Sequence, residues 1–187
     1  MPRLRWIPGC LGVLALGLAS CAVLPPEGAA GSGVAGGAAG PGTALAALAD
    51  PECRRMAGQR AQLQAVHAAL ARQGMALRVL GCPELPRQAA TAAGTQVIAV
   101  AVLVVDGERA ADTVRGPLAD GELLDMGSAA PQAASGPLRR VGTASLAQPP
   151  RDSLSPDVLY NRAWLRKLMT AQGLRPVANT WWAFTPR

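Results

Sequence analysis

Side chains able to hold a metal or move a proton near neutral pH are scarce in this chain, which has one histidine in 187 residues. A zinc hydrolase needs three fixed ligands, an open position for water, and a base to activate that water. A nucleophilic Ser or Thr needs a base within hydrogen-bond reach. His67 falls in the middle of an apolar-periodic segment and is expected to be a partly exposed helix residue. One histidine cannot build a His-Asp-His site. The carboxylates Asp106, Glu108, Asp112, Asp120, Glu122 and Asp125 fall around turns and loops, where a solvated charge is the default, and their spacing matches no calcium loop.

The elements that would have to position these groups can be read from periodicity. Asp50-Pro51 offers an N-cap and a proline at the first helical position, and Met56, Leu63, Val66 and Leu70 recur at helical spacing up to Gly74. Met75 to Leu80 alternates as a strand. Val97 to Val105 is a continuous apolar run ending at Asp106-Gly107, expected as a central strand followed by a turn. From Glu108 to Pro150 long loops are expected, with only Glu122 to Met126 resembling a strand. Ser155-Pro156 should cap a second helix that carries Val158, Leu165, Leu168 and Met169 inward and ends at Gly173. Leu174–Val177 and Trp181–Phe184 are candidate closing strands. The expected fold is a single small α+β domain over residues 44–187, with a mostly antiparallel sheet packed against two main helices.

The first 20 residues are set apart from that domain. Arg3 and Arg5 precede an apolar stretch from Ile7 to Leu18, as in a signal peptide. The following Leu18-Ala19-Ser20-Cys21 resembles the bacterial lipobox, which implies lipid attachment at Cys21 and, with Ala22 after it, a periplasm-facing place on the outer membrane. Residues 22–43 are nearly all Gly, Ala, Pro and Ser and read as a flexible tether. Setting Arg3 and Arg5 aside lowers the formal charge from +6 to +4. The remaining cations are scattered: Arg54 and Arg55, Arg139 and Arg140, then Arg162, Arg166 and Lys167 on the second helix. With few aromatic residues among them, the pattern excludes a nucleic-acid partner. Weak attraction to anionic lipid or wall polymer suits it better. With Cys10 in the leader and Cys21 taken by lipid, Cys53 and Cys82 remain as a pair. In an oxidising compartment they are expected to pair, closing a loop of about 30 residues and adding on the order of 3 kcal/mol in the chain-entropy model. Two buried thiols are the alternative.

Several segments, in order, resemble the D-alanyl-D-alanine dipeptidase family of zinc peptidases. They are Gly74-Met-Ala-Leu-Arg-Val-Leu80, Leu123-Leu-Asp-Met-Gly-Ser128, Asn161-Arg-Ala-Trp-Leu-Arg-Lys-Leu-Met169, Gly173-Leu-Arg-Pro176 and Asn179-Thr-Trp-Trp-Ala-Phe184. Cys53 and Cys82 also fall where some periplasmic members carry cysteines. The family's final motif reads Glu-Trp-Trp-His-aromatic, and its other two ligands come from His-x-x-Gly-x-Ala-x-Asp. On these residues the resemblance places Gly94, Ala101 and Ala183 at the zinc-ligand positions, Thr180 at the general base, and Glu84 near the arginine that steadies the oxyanion.

What the resemblance implies is therefore a fold without its reaction. Small neutral residues at former ligand positions make physical sense, because a buried carboxylate without its metal is an unpaired charge. The expectation is a catalytically inactive, lipid-anchored, dipeptidase-like protein without a cofactor. It is expected to bind a cell-wall peptide or an envelope protein, with Trp181 and Trp182 as core residues or pocket wall. The competing reading is an active metallopeptidase of peptidoglycan peptides that holds zinc at a relocated site.

Overall fold

The computed structural model describes residues 44–86, 95–131 and 148–187. Cys21, the leader, the tether, Gly94, Arg139 and Arg140 lie outside them. A short 3₁₀ turn, Ala46–Ala49, buries Leu48, and Ala44 and Leu45 beside it are buried as well. The first helix opens as a 3₁₀ segment, Pro51–Gln59, and continues as α1, Arg60–Arg72. Strands β1 (Met75–Gly81) and β2 (Ile98–Val104) follow, then a one-turn helix α2 (Gly107–Ala110) and a 3₁₀ turn (Arg151–Ser153). Helix α3 (Pro156–Ala171) and strands β3 (Leu174–Pro176) and β4 (Ala183–Pro186) complete the chain. The result is a small α+β domain with one four-stranded antiparallel sheet in the order β1-β2-β4-β3.

The sheet has two different faces because strand residues alternate sides. Met75, Leu77 and Val79 on β1 stand opposite Val104, Val102 and Val100 on β2, and Ile98 stands opposite Phe184. These residues are buried in one core with Leu63, Val66 and Leu70 of α1 and Leu165 and Met169 of α3. The helices pack on the two edge strands, α1 on β1 and α3 on β3. The opposite face carries mostly small or polar residues, Ala76, Arg78, Ala99, Ala101 and Ala183, with Leu103 as its large apolar member.

Several local details depart from expectation, each for a physical reason. Asp50 precedes the first helix in an extended conformation, but its side chain makes no cap bond. The first turn is tightened to 3₁₀ geometry, and the Cys53 N–H already donates to the Asp50 carbonyl at 2.9 Å. Asp106-Gly107 opens α2 rather than a simple turn, since Asp106 Oδ1 accepts from the Arg109 N–H at 3.0 Å. Glu122 to Met126 does not form a continuous strand. It makes one bridge, Leu123 to Leu103, flanked by Val104 N–H donating to Glu122 O (2.8 Å) and Leu124 N–H donating to Val102 O (2.9 Å). On β2, strand β4 pairs only with Ile98 and Ala99, so this loop lies along a further part of that edge.

Three devices close the framework. Gly74, with φ 73°, ends the first helix and accepts from both Val105 and Asp106 N–H at 2.9 Å; a Cβ there would lie 2.5 Å from the Asp106 carbonyl oxygen. Cys53 and Cys82 form a disulfide across 29 residues, with their Cα atoms 5.1 Å apart. Beside it, Gln96 Nε2 donates to the carbonyls of Glu52 and, at 3.1 Å, Cys82. Ser155 caps α3, its Oγ accepting from the Val158 N–H at 3.2 Å.

Candidate functional site

The pairing register places Ala183 directly opposite Ala99. Ala101 is two residues further along β2, so all three methyl groups project from one face of the sheet. Ala101 and Ala183 are fully buried. Gly94 lies outside the described residues. Thr180 is buried as well, and its hydroxyl donates to the Val177 carbonyl at 3.1 Å. Glu84 is exposed, opposite Gln96 in the extension of the β1–β2 hairpin, and lines neither of the hollows described below.

The two tryptophans part company. Trp182 is fully buried, and its carbonyl accepts from the Val100 N–H at 2.9 Å. Trp181, on the alternate side, is 8% exposed and lines two separate hollows. The first is a cavity of about 330 Å³ bounded by Ala101, Trp181 and the loop from Leu123 to Ala130. The second, open to the same degree, is a groove of about 510 Å³ between α3, the segment from Gln148 to Leu154, and the turn at Asn179 and Thr180.

A polar hub holds the wall between them. Ser128 Oγ accepts from Trp181 Nε1 at 3.0 Å and from Arg162 Nη2 at 3.3 Å, and it donates to Gln148 Oε1 at 3.0 Å. Arg162 Nε also donates to the Met126 carbonyl at 2.7 Å. Burial of this guanidinium lowers its pKa, an effect the Asp125 carboxylate partly offsets. Arginine starts high enough to stay protonated regardless. Asn161 anchors the same loop from α3: its Oδ1 accepts from Arg115 N–H at 2.9 Å, and its Nδ2 donates to the carbonyls of Arg115 at 2.9 Å and Asp125 at 3.3 Å. Gly127 permits close approach here, with φ 70°; a Cβ would meet Leu154 and Val158 at 2.8 Å.

Among the described residues, no three His, Cys, Asp or Glu side chains come together. The methyls of Ala101 and Ala183 have no lone pairs, and the Thr180 hydroxyl is engaged with the backbone, so these positions do not fit a zinc ion. His67 is on α1 and borders neither hollow. The hub residues Ser128, Asn161 and Arg162 were not singled out by residue chemistry. The available signal was Arg162 and Arg166, four residues apart on one helix face.

Family models, curated proteins and solved structures offer no match to this chain.

Proposed function

We propose that this protein is a non-catalytic, dipeptidase-like lipoprotein, anchored through Cys21 and facing the periplasm from the outer membrane. Its domain holds a cell-wall peptide or an envelope partner rather than cleaving a peptide. The observation that carries this reading is that Ala101 and Ala183 sit on one sheet face, where the resemblance puts a ligand carboxylate and imidazole. Each ends in a buried methyl group. Without those donors a metal cannot be held in the family's manner, and no bound water can be activated through it.

The residues around the cavity suit recognition. Trp181 offers an aromatic wall, Asp125 a carboxylate, and the loop from Leu124 to Met126 both apolar surface and backbone groups. Small neutral residues at the former ligand positions leave no stranded charge behind, so the fold can persist after the chemistry is lost.

One preparation of the full-length protein from membranes tests the reading. Elemental analysis should find no stoichiometric zinc, D-Ala-D-Ala should release no D-alanine, and mass spectrometry should find Cys21 as the acylated first residue. Stoichiometric zinc with turnover would overturn the non-catalytic reading, and an unmodified Cys21 would remove the anchor.

A further inference from the structure

The groove beside α3 has a charge pattern that neither the cavity nor the family resemblance explains. Arg151, Arg162 and Arg166 line it together with Trp181, and no Asp or Glu among the described residues does. Among the described residues the only ion pair is Arg109 with Asp106, so none of the three groove arginines is in one. Asp125, which acts on Arg162 electrostatically, lines the other hollow. Asp152 follows Arg151 in the chain but does not line the groove.

Such an arrangement carries a cost in the free protein. Arg162 and Arg166 are one turn apart on the same helix face, where like charges repel. Arg162 is also half-buried, and its Nε and Nη2 are already committed to Met126 and Ser128, which fixes the plane of the guanidinium. A fixed guanidinium with one nitrogen still unengaged by described residues is prepared to accept a planar oxyanion. The exposed Arg151 and Arg166 can close on further negative groups.

Size and the apolar lining narrow the ligand. About 510 Å³ accommodates a few residues of peptide. The ring of Trp181 and the side chains of Leu154 and Leu159 supply apolar contact between the cations. We infer that this groove binds short acidic peptides, whose carboxylates pair with Arg151, Arg162 and Arg166 while an apolar side chain lies against Trp181. The inference stands on the groove's own residues and does not depend on the dipeptidase reading.

Calorimetry with the full-length protein tests it, using acetylated Glu-Leu-Glu, the neutral acetylated Gln-Leu-Gln amide, and inorganic phosphate as separate probes. The acidic tripeptide should bind at least about tenfold tighter than the neutral one and weaken as salt is raised. The double variant Arg151→Gln/Arg166→Gln should lose about tenfold or more in affinity for it with an unchanged melting temperature, since both side chains are exposed. Equal affinity for the two peptides would overturn the inference, as would full binding by the double variant or no binding at all. Phosphate binding as tightly as the peptide would overturn the assignment to peptides.

Discussion

The cavity over Ala101 and the groove beside Arg162 share Trp181 as a wall, yet their other surfaces differ in kind. The Ala101 methyl and a largely apolar loop bound the cavity, with Asp125 the one charge among its described lining residues; three arginines, and no acid among the described residues, line the groove. One hollow is shaped by a β-strand face, where alternation dictates which residues look inward. The other is shaped by a helix face meeting a loop, where side chains of i,i+4 spacing converge with residues remote in sequence. The difference teaches where each kind of reading works: motif resemblance draws attention to the strand side, while the helix side emerges only from packing.

The largest effect should come from putting charge on the uncharged strand face of the cavity. Ala101→Asp would bury a carboxylate with no designed partner, raising its folded-state pKa above the unfolded value of about 3.9. The sign follows: the penalty is absent below the unfolded pKa and grows as pH rises through the folded one. A loss of about 3–5 kcal/mol is expected at pH 7, largely recovered near pH 4, in urea unfolding at both pH values. An equal loss at both would mean simple overpacking. No loss at pH 7 would mean that a cation reaches the site from the groove side, and the contrast between the hollows would fail.

An intermediate effect is expected where both hollows depend on one residue. Asn161 is fully buried on α3 and makes three hydrogen bonds that fix Arg115 and the loop at Asp125. Asn161→Ala leaves the Arg115 amide without that acceptor and should cost about 2–3 kcal/mol. Because the loop carries Met126 and Ser128, which hold Arg162, the groove should loosen along with the cavity. Hydrogen exchange should therefore speed up at Leu124–Ser128 and around Arg162 together. Faster exchange confined to one hollow would separate the two.

Much of the scaffold was legible because burial imposes periodicity on sequence. Met56, Leu63, Val66 and Leu70 at helical spacing, and the unbroken apolar run of β2, could only be stable against a common core. The pairing of Glu122 to Leu124 beside β2 was harder to foresee in detail, since it depends on how little of that edge β4 covers. At the candidate site, Trp181 and Trp182 were expected together as core or pocket wall, whereas the structure has one ring lining the hollows and the other in the core. The convergence of Arg151, Arg162 and Trp181 was not legible. It requires the angle between α3 and the segment before it, which is set by packing contacts such as Gly127 against Val158 rather than by any local pattern.

The smallest effect tests the wall itself. Ser128 Oγ joins Trp181 Nε1, Arg162 Nη2 and Gln148 Oε1, so it couples the cavity loop to the groove through a single atom. Ser128→Ala removes those bonds from a half-buried position where water can partly replace them, so a loss of only about 1 kcal/mol is expected. The informative readout is the indole N–H resonance of Trp181, which should shift and exchange faster with solvent while that of Trp182 stays unchanged. If the Trp181 signal is unaffected, packing alone holds the ring, and the two hollows are independent sites. If it moves and acidic-peptide affinity at the groove falls with it, the hydroxyl is a mechanical link between them, and occupation of one hollow should be felt in the other.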